Sequence, residues 1–280
     1  MRCRRHGQRM AEGAVEVEVV AGVEGLRQDH GPLFAVIGVF DGIHLGHRYL
    51  LGRLVEEARA RGARPSVITF DSHPDEILVG AAPPLLLDHG ERLRMLGEAG
   101  VEVVVVQHFD AALRSTEYDE FVNRITSRTP LAGLLMTPDA AFGHERRGTP
   151  EAVRALGERD GFDLVVAPPF EVDGRSVRSS DVRAAVAAGD FVVAERLLGR
   201  PYAVVGDGFE AGVARVAMEF RMPVALPPSG EYKVTIEFQD GDRPWSGVAI
   251  VAPDGGLELA TVPFQERVRV VFDAAAASAP

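Results

Sequence analysis

The sequence predicts a two-part chain: a doubly wound α/β domain built on a parallel sheet, followed by a small antiparallel β-barrel. Three observations carry that prediction. Between about residues 33 and 170, short β-rich apolar runs recur without polar alternation, the pattern of strands buried on both faces of a parallel sheet. Amphipathic helical patterns fill the intervals between these runs. After residue 202 the pattern switches to apolar/polar alternation with closely spaced Gly, Asp and Pro turns.

Taken in order, the opening MRCRRHGQRM is basic and lacks an apolar core, and no later run approaches the roughly 18 apolar residues of a membrane span. Residues 1–13 are therefore read as a disordered leader, with Met1 and Met10 both available as starts. The first strand is LFAVIGVF, 33–40. Leu50, Leu51, Leu54, Val55 and Ala58 then stripe a helix that ends near Gly62. PSVITF is the second strand, and Leu93, Leu96 and Ala99 mark a helix ending at Gly100. VEVVVVQHF, LAGLLM and DLVVAPPF follow as strands; Phe121, Val122 and Ile125 stripe one intervening helix, and Thr149 with Pro150 supplies the N-cap and first-turn proline of another. This is a Rossmann-like arrangement over residues 14–200. Beyond LLGRPY, residues Tyr232, Val234, Ile236 and Phe238 alternate with Lys233, Thr235 and Glu237. RPWSGVAIV, GLELATV and ERVRVVF complete a small barrel over 201–273, with 274–280 as a flexible tail.

Composition narrows the function. A net charge of −11 excludes a general nucleic-acid binder, which must neutralise several phosphates with clustered cations, yet a few local donors suffice for a small anion. Cys3 is the only cysteine, so a disulfide framework, a cysteine-rich zinc site and a cysteine nucleophile in the body of the chain are excluded, and a reducing cytoplasm is expected. No nucleic-acid or membrane partner is expected; self-association is compatible with the sequence.

The chemistry concentrates in GVFDGIHLGH, 38–47. A strand, an Asp41-Gly42 turn and the first turn of a helix place free N–H groups and a positive dipole end beyond the carboxyl edge of the sheet, where α/β folds bind anions. Gly46 leaves room for a phosphate, and His44 and His47 lie on adjoining helical positions from which both can donate to it. Two other roles stay open for the histidines: helix capping, or a metal site completed by Asp41, Asp71 or His73, although the spacing matches no strong zinc signature and no direct side-chain metal ligand is assigned. VRSSDVRAAVAAGD, 177–190, offers a second grip, in which Ser179 or Ser180 caps a helix and Arg183 turns its guanidinium toward the same end; an ordinary cap with a surface arginine is the alternative.

GVFDGIHLGH, VITFDSHP, AAFGHERRGT, VRSSDVRAAVAAGD and LLGRPY occur in the order and at the spacing seen in bacterial bifunctional riboflavin kinase/FAD synthetases, and over residues 33–202 the chain resembles that family. The resemblance implies a nucleotidyltransferase of the H-x-G-H kind that makes FAD and pyrophosphate from FMN and ATP with Mg2+. It implies His44, His47 and Arg183 as catalytic groups. Gly38, Phe40, Asp41, Gly42, Gly46, Ser179 and Ser180 would surround the ATP phosphates. Phe70, His73 and Pro74 match the family's Phe-x-Pro-His-Pro stretch near the flavin, with Ser72 in place of the first proline. TPDAAFGHERRGT keeps Asp139, Phe142, Gly143 and Arg146 of the family's Gly-x-Asp-Phe-x-Phe-Gly-x-x-Arg loop, but Thr137 replaces the glycine and Ala140 the first aromatic.

The C-terminal part departs further. The family's kinase barrel carries Pro-Thr-Ala-Asn, whereas Met222, Pro223, Val224 and Ala225 stand before SGEYKV here, with Pro228, Gly230 and Tyr232 retained. An FMN adenylyltransferase without riboflavin kinase activity is the resulting expectation. Its rivals are a transferase acting on another phosphorylated acceptor, a non-catalytic flavin- or nucleotide-binding paralogue, and a metal hydrolase using both histidines.

Overall fold

The computed structural model describes residues 17–78, 80–212, 215–238, 243–260 and 267–274. The expected leader, with Cys3 and Met10, and the tail from residue 275 lie outside the described residues.

Six parallel strands form one sheet: β1 (Glu18–Ala21), β2 (Leu33–Ile37), β3 (Arg64–Phe70), β4 (Val103–Gln107), β5 (Leu131–Met136) and β6 (Asp163–Val166), in the spatial order β1-β4-β3-β2-β5-β6. Double-sided burial explains the runs: Val103, Val104 and Val105 of β4 are all fully buried, and β-branched apolar side chains pack well on both faces of such a strand. Helix α1 (Leu45–Ala60) joins β2 to β3. Helices α2 (Asp75–Leu78) and α3 (His89–Glu98) lead to β4, α4 (Ala111–Arg114) and α5 (Tyr118–Thr126) to β5, and α6 (Pro150–Asp160) to β6. One sheet face packs on Leu51, Leu54 and Ala58 of α1 with Met95 and Leu96 of α3; the other packs on Phe121, Val122 and Ile125 of α5 with Val153 and Leu156 of α6. The fold is doubly wound as expected. The chain leaves β2 toward β3 and later returns to lay β5 on the other side of β2, so a crevice opens beyond the carboxyl ends of these strands, the position where such sheets bind ligands.

A short hairpin, β7 (Glu171–Val172) with β8 (Arg175–Ser176), precedes α7 (Ser179–Ala187) and α8 (Phe191–Leu198). Strands β9 (Ala203–Gly212), β10 (Arg215–Glu219), β11 (Gly230–Phe238), β12 (Trp245–Val251), β13 (Leu257–Ala260) and β14 (Arg267–Phe272) then close an antiparallel barrel, β14 pairing back onto β9. Its apolar interior is continuous with α7 and α8: Val182, Val186, Phe191 and Leu198 share one buried cluster with Val234, Ile236 and Val270. Phe191 stacks on Phe272 at 4.8 Å between ring centres.

Three features differ from the sequence reading. Strand β1 pairs in parallel with β4 but carries no apolar run, because an edge strand is buried on fewer sides: Val19 is exposed. The β7–β8 hairpin is too short for a periodic signal. The first expected strand stops at Ile37, since Gly38 to Phe40 leave the sheet and Phe40 takes a positive φ of 54°.

Candidate active site

The segment after β2 is wound tightly by its own backbone. Phe40, Gly42 and Ile43 have φ of 54°, 82° and 38°, and for a β-branched residue such as Ile43 the left-handed region costs about 1–3 kcal/mol, so the surroundings must hold it. Arg200, two residues past α8, does so with a fork: its Nη2 donates to the Gly42 carbonyl at 2.7 Å and its Nη1 to the Ile43 carbonyl at 3.1 Å. Burial pulls this guanidinium down to about 10. Asp41, buried between them, accepts the Leu86 N–H at 3.0 Å and the Arg183 Nη2 at 2.7 Å. Burial raises the Asp41 carboxyl above the ordinary carboxylate value, opposed by the Leu86 N–H and by Arg183.

The wound turn delivers His44 as the N-cap of α1. Its Nδ1 accepts the His47 backbone N–H at 3.2 Å, which leaves the proton of the neutral ring on Nε2. The two imidazoles stack with centroids 3.7 Å apart and planes 16° from parallel, and Phe40 lies against His47 at 5.0 Å. A side chain at Gly46 would be crowded by this geometry: a Cβ there would lie 3.2 Å from the His44 ring and 3.3 Å from the Val177 carbonyl, so the neighbours would have to give by a few tenths of an ångström. Burial depresses His44 to about 4 and, with the neighbouring His44, pushes His47 well below the ordinary imidazole value. Both rings are thus neutral N–H donors near pH 7. Their in-plane lone pairs occupy nearly parallel planes and do not converge on one ion; among the described residues no group of three His, Cys, Asp or Glu is disposed as a metal site.

The expected second grip is assembled differently. Neither Ser179 nor Ser180 caps α7; Arg178 occupies the N-cap, and its N–H is taken by the Asp181 carboxylate at 3.2 Å. Ser179 instead donates its hydroxyl to the Asp41 carbonyl at 2.9 Å, while Ser180 is exposed. The physical reason is competition: a hydroxyl that reaches across to the β2 turn is not available to its own helix. Arg183 is tied to Asp41 and, through Nε at 2.8 Å, to the Pro84 carbonyl.

Beside this turn lies a cavity of about 660 Å³ at the carboxyl ends of β2, β3 and β5, within the size range of small-molecule sites. It brings together Gly38, Phe70, His73 and Pro74 with Phe142, Gly143 and Arg146. Phe109 meets Phe70 edge-on at 5.3 Å, and Phe121 meets Phe142 at 6.2 Å, so the walls are aromatic. Asp139 stands outside the lining: it is exposed, its carboxylate accepts the Thr137 hydroxyl at 2.8 Å, and its carbonyl accepts Arg146 at 3.2 Å. His73 is half-buried in the cavity wall, with burial lowering its pKa and both Arg183 and Asp41 close enough to act on it. It joins the apolar cavity to the charged turn.

Sequence reasoning missed the residues that hold these loops. Arg92 of α3 is buried and donates to the Val39 carbonyl at 3.1 Å and the Phe70 carbonyl at 2.8 Å, tying the end of β2 to the end of β3. The available signal was an arginine adjoining the apolar stripe of Leu93 and Leu96. Arg200 sits within LLGRPY, a stretch used only as a marker of resemblance.

A family model described as FAD synthetase matches residues 26–181. A bifunctional riboflavin kinase/FMN adenylyltransferase from Pseudomonas fluorescens is 34% identical over 91% of this chain and 88% of its own length. A protein of the same description from Escherichia coli K12 is 31% identical over 83% of this chain and 77% of its own. A crystal structure described as a macrolide-efflux protein from Streptococcus pneumoniae aligns with a TM-score of 0.77 over 92% of this chain and 90% of that one; at 23% identity the likeness is one of fold.

Proposed function

This chain belongs to the FAD synthetase family, the FMN adenylyltransferases, and from that premise we propose that it joins the AMP moiety of ATP to FMN at the turn and cavity described above, while its barrel does not phosphorylate riboflavin. The observation that carries the reading is the nearness of two unlike surfaces: an aromatic cavity large enough for a flavin is lined by Gly38 and Val39, just ahead of the turn into His44, and by His73, which lies near Asp41 of that turn and near Arg183.

In this reading the isoalloxazine lies between Phe70 and Phe142, and the FMN phosphate passes His73 toward α1. An FMN phosphate oxygen attacks the α-phosphorus of ATP in line, the bond to the bridging oxygen breaks, and pyrophosphate leaves. The attacking phosphate is already ionised, so no strong general base is needed. Charge grows on the α-phosphate oxygens and the leaving pyrophosphate; the Nε2–H of His44 and an N–H of His47, with the dipole of α1, would meet it where it develops. Gly38, Phe40, Asp41, Gly42 and Gly46 shape the floor, and Ser179 holds it through the Asp41 carbonyl. Ser180 and Arg183 face the outer phosphates, and Asp139 steadies the loop that carries Phe142, Gly143 and Arg146. Mg2+ enters with ATP, since an ion that prefers water and phosphate oxygens needs no protein cage. Such an enzyme works beside its ATP supply in the cytoplasm and requires neither nucleic acid nor a membrane.

The barrel's loss of kinase chemistry is supported by what replaces Pro-Thr-Ala-Asn. Met222 to Ala225 offer methyl and thioether groups where a hard cation wants oxygens, and their backbone is already engaged: the Leu85 N–H donates to the Pro223 carbonyl at 2.8 Å, the Ala225 N–H to the Leu85 carbonyl at 2.8 Å, and the Tyr202 hydroxyl to the Ala225 carbonyl at 2.5 Å. Glu237, a conceivable substitute, is held by Arg269 at 2.6 Å.

The test is one experiment with two arms. Purified protein with ATP, Mg2+ and FMN is expected to release FAD and pyrophosphate in equal amounts, and with riboflavin in place of FMN to give no FMN. Turnover of another phosphorylated acceptor without FAD would reassign the acceptor, and binding of FMN without turnover would make the chain a flavin-binding paralogue. Catalytic FMN production would restore a bifunctional enzyme.

A further inference from the structure

The phosphate turn is held from the barrel side, and Arg200 is the residue that does most of it. We propose that Arg200 is a positioning residue for adenylyl transfer, holding the Gly42–Ile43 turn in its left-handed form so that the two histidines of α1 meet the phosphates, and thereby making the start of the barrel a working part of the transfer site. The inference rests on the adenylyltransferase reading and adds to it a residue from the connection that leads into the barrel.

Three observations converge. The fork geometry is specific: two nitrogens of one guanidinium donate to two successive carbonyls, those of Gly42 and Ile43, the pair whose left-handed backbone sets the direction of the chain into His44. The charge is not paired at contact distance: among the described residues Arg200 makes no ion pair, so a half-buried cation lies behind the turn on which an anion would sit, where its field falls on the phosphates. The place in the chain is also informative. Arg200 follows Gly199, a helix end with a φ of 67°, and precedes Pro201 and Tyr202, whose hydroxyl reaches the Ala225 carbonyl of the segment where the kinase motif would stand. That segment pairs with Leu85, and Leu86 next to it donates its N–H to Asp41. The turn is therefore held twice from the barrel end: through Arg200, in the connection between α8 and β9, on its carbonyls, and through residues 223–225, by way of Leu86, on its carboxylate. A barrel without kinase chemistry has a reason to be kept in this arrangement.

Arg200 touches no substrate, so its effect must appear as misplacement of the groups that do. The experiment compares Arg200→Lys and Arg200→Gln with the wild-type chain, measuring kcat for FAD formation, the KM for ATP and FMN binding by quenching of flavin fluorescence, with Arg215→Ala on the exposed barrel surface as control. Lysine keeps the charge but has one nitrogen for two carbonyls; glutamine loses both charge and fork. The expected result is a kcat loss on the order of 100-fold for glutamine and a smaller loss for lysine. FMN binding should be retained in both, because the flavin cavity is lined by other residues, and the control should match the wild type. Wild-type kcat in a folded Arg200→Gln chain overturns the proposal. So does a loss of kcat that only parallels loss of flavin binding, which would mark a general structural role. Where the glutamine variant does not fold, the lysine variant decides, and unchanged kcat there overturns the proposal. Absence of FAD formation in the wild-type chain itself would remove the underlying reading and this inference together, whereas loss confined to the variants belongs to Arg200.

Discussion

At the scale of single residues, the site is governed by what burial does to imidazole. The two histidines at the start of α1 are kept neutral, and the nearby arginines are committed to a carboxylate or to carbonyls. In the proposed transfer, such neutral donors would stabilise charge as it grows without binding pyrophosphate so firmly that its release is impeded. The same burial makes a stability prediction. His44 titrates near 6.5 when exposed and near 4 in the fold, so the unfolded chain binds the proton more tightly. Its contribution to stability is intact above about pH 6.5 and is lost as pH falls from there to about 4, amounting to about 3 kcal/mol at the acid end. Protonation would also occupy the Nδ1 that caps α1. His44→Asn retains an N-cap acceptor and removes the titration. Urea unfolding at several pH values between 7 and 4 should show a smaller acid loss for the His44→Asn variant than for wild type; parallel curves would contradict the assignment.

At the scale of elements, the start of α1 crowds any side chain at Gly46, and the loop after β5 is organised around a position that admits none. In the loop, Gly143 has a φ of 75°, and a Cβ there would lie 2.6 Å from the Tyr118 backbone nitrogen. Gly143→Ala must therefore push the loop off α5, displacing Phe142 and Arg146 from the cavity wall. The expected outcome is a stability loss of about 1–3 kcal/mol in thermal unfolding together with weaker FMN binding in the flavin titration. Unchanged binding would remove this loop from the flavin site. Elements also differ in how far their own residues announce them. Thr149 caps α6, accepting the Ala152 N–H at 3.4 Å with Pro150 behind it, as its local pattern implies. Ser179 has an equally good local pattern and does otherwise, because a carbonyl 138 residues away competes for its hydroxyl.

At the scale of the whole molecule, the two parts are joined by packing more than by charge. Arg267 and Arg269 of β14 reach Asp88 at 2.8 Å and Glu91 at 3.2 Å beside α3, but partly exposed pairs of this kind contribute only about 0–1 kcal/mol each. The apolar cluster is different: it runs without interruption from the barrel through Phe191, Leu198 and Tyr202 to Leu86, beside the phosphate turn. Separating the parts would uncover the faces of Val182, Val186, Phe191 and Leu198 that belong to it. Calorimetry is therefore expected to show a single cooperative transition, and Tyr202→Phe, which leaves the buried Ala225 carbonyl without its donor, should lower the whole transition by about 1–3 kcal/mol. Two resolved transitions would mean that barrel and sheet unfold independently.

What the sequence determined by itself is whatever is encoded over a few residues. The five strands β2 to β6, the helices between them, the barrel's alternating strands and the Asp-Gly turn leading to a histidine-started helix all follow from periodicity and local backbone preference, which act within one or two turns of chain. The edge strand β1 escaped because partial burial imposes no apolar run. The candidate site was legible to the same extent: His44 and His47 could be nominated from motif and spacing, and Phe70 and Phe142, which the fold brings to one cavity, from the family resemblance, whereas Arg92, Arg200 and Leu86 could not. Their roles consist of hydrogen bonds to carbonyls or carboxylates far away in sequence, for Arg200 157 and 158 residues away. Nothing in an arginine's local surroundings says which distant backbone it will hold. Only the closing of the barrel against the sheet brings that guanidinium under the turn, because the partners of a buried donor are chosen by three-dimensional packing and not by neighbours along the chain.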